Sequence, residues 1–94
     1  MNSGSDQPPR RHGVRLARRV VRSLADLQRR DQQRMRAAID LLAEHARPPN
    51  CVALQGETGV YRVRVGDYRI VYEVFDRVLV VQVVRIGHRR EVYR

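Results

Sequence analysis

Val60-Tyr-Arg-Val-Arg-Val65, then Gly66-Asp67, then Tyr68-Arg-Ile-Val-Tyr-Glu-Val-Phe75 is the stretch on which the fold turns. Its first six residues alternate: Tyr61, Val63 and Val65 face one way, Arg62 and Arg64 the other. That is the period of a strand with one covered face. Gly66-Asp67 carries turn chemistry, and Tyr68 to Phe75 returns as a second strand. A further turn falls at Asp76-Arg77. Val78-Leu-Val-Val-Gln-Val-Val-Arg-Ile86 is apolar almost throughout, as expected of a central strand covered on both faces. Gly87 ends it, and His88 to Arg94 form a short terminal segment. The short hairpins make these three strands antiparallel.

Toward the N-terminus the chemistry becomes helical. Residues 18–47 are rich in Arg, Ala, Leu, Gln and Asp and hold no Gly or Pro. Val20, Leu24 and Leu27 form one apolar series; Met35, Ala38/Ile39 and Leu42 form another that is out of phase with it. Two helices are expected, with a break near Arg30-Asp31 and Asp31 as the N-cap of the second. Pro48-Pro49 must stop that helix at Arg47. Val14 and Leu16 alternate with Gly13 and Arg15 in a short first strand, while residues 1–11 read as a flexible tail. The expected fold is α+β: two N-terminal helices on a curved antiparallel sheet, in the order β-α-α-β-β-β, as a single domain over residues 12–94.

Composition excludes several function classes. Ninety-four residues allow one domain. No apolar run approaches the ~18 residues that cross a bilayer, so no membrane partner is expected. The net charge is +9, and all nineteen basic residues are Arg. Without Lys there is no Schiff base and no P-loop lysine. A single cysteine, Cys51, excludes an internal disulfide and a Cys-based zinc site, and nothing asks for an oxidising compartment. It reads as a small buried hydrophobe after the Pro48-Pro49-Asn50 turn. An apolar leader segment near the start is missing, so a cytoplasmic location is expected. His12, His45 and His88 have no ligand spacing, so neither metal nor cofactor is expected.

The arginines divide into two groups. Arg18, Arg19, Arg22, Arg29, Arg30, Arg34 and Arg36 lie on the helices, as either an ordinary solvated face or a phosphate-attracting one. Those of the β-region are fewer and closer set. Arg62 and Arg64 stand ~7 Å apart on one strand face. Arg69 starts the neighbouring strand just across the turn, and Arg89 and Arg90 follow Gly87. Convergence of these guanidinium groups would cost stability by mutual repulsion, and a polyanion would explain it, since guanidinium forks grip phosphate bidentately. The alternative is pairing of Arg62, Arg64 and Arg69 with Glu73, Asp67 and Glu91 on an open sheet face. Tyr93 suits base stacking or proton transfer, or packs on the sheet edge. His88 is either an acid–base group or simply exposed.

These strings together resemble a known family. Pro48-Pro49, Leu54-x-Gly56, Gly59-Val-Tyr-Arg-Val-Arg-Val-Gly-Asp-Tyr-Arg-Ile-Val-Tyr-Glu73 and Val84-Arg-Ile-Gly-His-Arg-Arg-Glu-Val-Tyr93 look like the RelE family of the RelE/ParE toxin superfamily. The resemblance covers about residues 12–94 and is most specific over 48–94. It implies a toxin of a type II toxin–antitoxin pair that enters the ribosomal A site and cuts mRNA without metal, by attack of the 2′-hydroxyl on its own phosphate. The implied partners are a cognate antitoxin, whose acidic and apolar side chains cover the Arg-rich face, the ribosome and mRNA. Carried over by position, Arg62, Arg64, Arg69, Arg89 and Tyr93 are catalytic; His88 joins the catalytic set as a candidate acid or base, and Arg62, Arg64, Arg85 and Arg90 are expected to bind RNA. One departure matters: well-understood members carry lysines where this chain has Arg62 and Arg64. A guanidinium does not release its proton, so the base must be His88, Tyr93, Glu73 or a ribosomal group. Two other functions fit the same scaffold: a ParE-like inhibitor of DNA gyrase, and a catalytically weak RNA- or ribosome-binding member.

Overall fold

A computed structural model describes residues 11–88. Within them run β1 (Gly13–Leu16), α1 (Arg18–Ala25), α2 (Arg29–Glu44), β2 (Cys51–Ala53), β3 (Val60–Val65), β4 (Tyr68–Phe75) and β5 (Val80–His88). The strands form one mixed sheet in the order β1-β5-β4-β3-β2. Both helices lie on one face of it, as the α+β reading requires. The tail expected over 1–11 lies outside the described residues, save Arg11, whose Nη1 donates to Glu44 Oε2 at 2.9 Å.

The apolar periodicity places the core. Val20 and Leu24 of α1 and Met35, Ile39 and Leu42 of α2 are buried against Val63, Ile70, Tyr72, Val74, Val81, Val83 and Ile86 of the sheet. The helix break comes earlier than expected, at Asp26-Leu27-Gln28 rather than Arg30-Asp31. Leu27 turns inward against the core there. The Leu24 carbonyl at the end of α1 accepts from the Leu27 amide at 3.1 Å and from Gln32 Nε2 at 2.8 Å, so a side chain of α2 helps close the helix. Asp31 is therefore not a cap. It sits in the first turn of α2, where its charge suits the helix dipole, and accepts from the Tyr68 hydroxyl at 3.3 Å. The second helix ends at Glu44, three residues before Arg47. Ala46 is buried, and Arg47 is drawn to the sheet.

The sheet departs from the expectation in three places. β2 is an additional three-residue strand, too short to show a period, formed by pairing Cys51, Val52 and Ala53 with Val63, Arg62 and Tyr61. β1 runs parallel to β5. The hairpins β3–β4 and β4–β5 are antiparallel as expected. Finally, β5 continues through Gly87 to His88 and is not covered on both faces: Val81, Val83 and Ile86 are buried, whereas Arg85 is exposed. A bulge explains this. Tyr72 pairs with Val83 but Val71 with Arg85, so Val84 is an extra residue that shifts the phase of the strand.

Arg47 ties the loop after α2 to the far turn. Nη2 and Nη1 donate to the Asp76 carboxylate at 2.7 and 3.2 Å, and Nε donates to the Tyr61 hydroxyl at 2.8 Å. His12 Nε2 lies 3.5 Å from Asp76. Tyr61 stacks on Tyr72, whose hydroxyl donates to the Ala46 carbonyl at 2.8 Å. Burial raises the Tyr72 hydroxyl well above the ordinary phenol value, so it stays a donor. The hydrogen bonds from Arg47 hold the Asp76 carboxyl below its ordinary value. A carboxyl depressed on folding stabilises above its unfolded pKa, and that contribution is lost as pH falls through the folded value. Between about pH 5 and pH 2, wild-type protein should therefore lose more thermal stability than Asp76→Asn, with the two melting curves converging at the acid end. Parallel loss in both would show that Asp76 carries no such linkage.

Candidate nucleic-acid interface

The turn between β3 and β4 fixes the register of everything beside it. Gly66 has φ 60° and Leu79 is the sole non-glycine with positive φ among the described residues, so Gly66-Asp67 is a type II′ hairpin turn. It sets Arg64 directly opposite Arg69, and Arg69 in turn pairs with Gly87. Two residues along, Arg62 pairs with Val71 and Val71 with Arg85. Paired residues share a face, with Cβ atoms ~4.5–5.5 Å apart. The face away from the helices therefore carries one row of Arg64, Arg69 and Gly87, and a second of Arg62, Val71 and Arg85.

The surroundings differ by residue. Arg69 is buried, with 6% of its surface exposed. Arg62 is half-buried and Arg64 exposed. With Asn50 and Val52 these three line a hollow of about 220 Å³. Arg64 Nε reaches the Gly66 carbonyl at 3.4 Å. Glu73 shares this face, opposite Val60 and Gln82. Among the described residues, neither Arg62 nor Arg64 makes an ion pair with Glu73 or Asp67, so the self-neutralised sheet face is not formed for them. Two guanidinium groups thus share one cross-strand position, a cationic spot whose forks suit an anion.

His88 falls elsewhere. It pairs with Tyr68, on the face toward the helices, and its ring meets that of Tyr68 edge-on at 5.4 Å. The structure thus brings Arg62, Arg64, Arg69 and Arg85 together and sets His88 on the other side of the sheet. Arg89, Arg90 and Tyr93 lie outside the described residues. The helical arginines at 18, 19, 22, 29, 30, 34 and 36 are all exposed. Sequence reasoning missed Asn50, Val52 and Arg19 as neighbours of the face, because each comes from an element whose position depends on distant pairing.

An apolar hollow of about 500 Å³ adjoins the Arg face, lined among others by Ala38, Leu41, Pro48, Val63 and Val65, with Arg64 on its border. Leu41 is 61% exposed there. No helix of the described residues is long and apolar enough to cross a membrane.

The scaffold of two helices on a five-stranded mixed sheet is shared with known proteins. The family model for the ParE toxin of type II toxin–antitoxin systems, parDE, matches residues 14–93, and the chain belongs to that family. A Methanocaldococcus jannaschii protein named as toxin RelE1 is 29% identical over 86 residues, covering 86% of this chain and 93% of its own. A chain of the archaeal RelE–RelB complex from Pyrococcus horikoshii superposes with a TM-score of 0.75 at 26% identity, over 83% of this chain and 94% of that one. A chain of the toxin–antitoxin complex RelBE2 from Mycobacterium tuberculosis gives 0.72 at 26% identity, over 83% and 91%. The chain is accordingly a RelE-like toxin of a type II toxin–antitoxin system.

Proposed function

We propose that this toxin is a metal-independent endoribonuclease that cuts mRNA in the ribosomal A site and so stops translation. The observation that carries the reading is the buried Arg69 guanidinium directly opposite Arg64, with Arg62 beside them on the same open face. In the reaction the 2′-oxygen bonds to the adjacent phosphorus, the bond to the 5′-oxygen breaks, and a cyclic phosphate and a 5′-hydroxyl remain. Arg62 and Arg64 hold the phosphate oxygens as forks. Arg69, shielded from water, opposes the negative charge that grows on those oxygens, where a fixed donor counts most. None of the three can take the 2′-proton. Glu73 faces the same side as Arg62, which favours it over His88 among the described candidates; Tyr93 and a ribosomal group are the others.

The cognate antitoxin fits the same surface. A segment laid across Arg64 would set acidic side chains on the Arg face and apolar ones in the adjoining hollow beside Leu41. That the two hollows share Arg64 supports a single covering segment.

The test is primer extension on a reporter mRNA in a bacterial translation extract, with and without ribosomes. Cuts inside codons that require ribosomes are the expected result. Intact mRNA with folded protein would sink the proposal, and a gyrase supercoiling assay would then decide for the ParE-like activity or a silent binder.

A further inference from the structure

Beside the Arg64–Arg69 row lies a second, larger hollow that the catalytic reading does not use. It holds about 420 Å³, the size of a small-ligand pocket, and is lined by Arg19, Leu54, Glu57, Arg62, Val71, Val84 and Arg85. Three separate devices build it. The bulge at Val84 turns Arg85 onto the face of Arg62. The β2–β3 connection brings Leu54 and Glu57 over the sheet, with the Leu54 amide bonded to the Val60 carbonyl at 2.9 Å. The third device is the shortness of β1. Its pairing with β5 stops at Leu16–Val83, and the Ala17 amide bonds to the Val83 carbonyl at 2.9 Å. Past that point no strand among the described residues flanks β5 on the side away from β4, and Arg19, in the first turn of α1, lines the hollow from that side.

The chemistry of the lining is specific. Three guanidinium groups and one carboxylate surround a floor of Leu54, Val71 and Val84. Among the described residues none of Arg19, Arg62, Arg85 and Glu57 makes an ion pair. An anion with an apolar flat face fits such a site: guanidinium forks for phosphate, aliphatic side chains under a base. Arg62 lines this hollow and the smaller one alike. The two arginine rows lie two residues apart along β3, ~7 Å, comparable to the spacing of neighbouring phosphates on an extended single strand.

We infer that the Arg19–Arg62–Arg85 hollow is a second nucleotide subsite, which holds the phosphate and base next to the nucleotide seated at Arg64 and Arg69. This rests on the reading of the toxin as an RNA-cleaving enzyme and extends it to the length of strand engaged. Arg19 and Arg85 are then binding residues for the neighbouring phosphate and leave the reacting one to Arg69.

The test uses fluorescein-labelled 2′-O-methyl oligonucleotides, which cannot be cut by 2′-attack: a dinucleotide with one internucleotide phosphate and a trinucleotide with two. Anisotropy titrations over a salt series give affinity and its salt slope. Wild-type protein should bind the trinucleotide about tenfold more tightly, with a slope steeper by roughly 0.7, the single-strand value per phosphate contact. In the double variant Arg19→Gln/Arg85→Gln both differences should vanish. Arg69→Ala should weaken both oligonucleotides equally and keep the differences. Arg29→Gln/Arg36→Gln, two exposed positions on the helix layer, removes the same two charges and should leave them unchanged. If the double variant keeps the trinucleotide advantage and its slope, the subsite is refuted while RNA binding stands. If Arg29→Gln/Arg36→Gln removes the advantage equally, diffuse charge explains it and the subsite is likewise refuted. If wild type binds neither oligonucleotide in a salt-dependent way, the subsite fails together with the RNA reading.

Discussion

Arg69→Ala should lower ribosome-dependent mRNA cleavage by about 10²–10³, the usual loss when one fixed donor to a developing oxyanion is removed. Two features raise Arg69 above its neighbours. It is buried, so its charge acts through less water than that of exposed Arg64. It is also central: Arg64 stands opposite on one side and Gly87, which adds no side chain, on the other. On the proposed reading, a phosphate over this face would meet Arg69 between Arg64 and Gly87. Arg69→Lys keeps the charge and loses the planar fork, so its activity should fall between the two. Cleavage is read by primer extension, folding by circular dichroism and ribosome engagement by co-sedimentation. A folded Arg69→Ala protein that cuts as fast as wild type would remove the sheet face from the mechanism.

Deletion of Tyr93-Arg94 should reduce cleavage far more than ribosome binding. The effect expected of a lost stacking contact is ~1–3 kcal/mol, or roughly 5- to 150-fold in rate at saturating ribosomes. The proposal for Tyr93 comes from its place in the Gly87-His-Arg-Arg-Glu-Val-Tyr93 string, since the residue lies beyond those the structure describes. The split between the two readouts is what identifies the role. A tyrosine that orients the base acts on the reacting geometry, whereas a docking residue would change co-sedimentation and cleavage together. Equal losses would assign the C-terminal residues to docking.

The face that carries these predictions was partly legible beforehand. The alternation in Val60–Val65 already set Arg62 and Arg64 on one side, and Gly66-Asp67 already brought Arg69 back beside Arg64. Both are local facts: a strand has a period of two, and a two-residue turn fixes register. Arg85 lay within reach of the same reasoning, but its face did not. Strict alternation from Val81 and Val83 puts Arg85 with the core, and the extra residue at Val84 reverses this. His88 moved in the opposite sense. Its place after Gly87 suggested a neighbour of the arginines, and pairing with Tyr68 sets it across the sheet.

The sequence by itself determined the two helices, the two antiparallel hairpins, the arginine-only basic surface and the family. Each of these is written in residues near one another along the chain, where period, turn chemistry and charge act directly. Only the tertiary structure decided that β1 pairs in parallel with β5, that Cys51–Ala53 adds an edge strand, that Arg47 of the post-helical loop grips Asp76, and that Arg19 joins Arg62 and Arg85 around one hollow. The edge strand pairs within a dozen residues but is too short to show a period. The other contacts join segments tens of residues apart, and their energy comes from burying Val20, Met35, Tyr72 and Val81 in one common core. No local stretch records which distant strand will lie beside it once that core has formed.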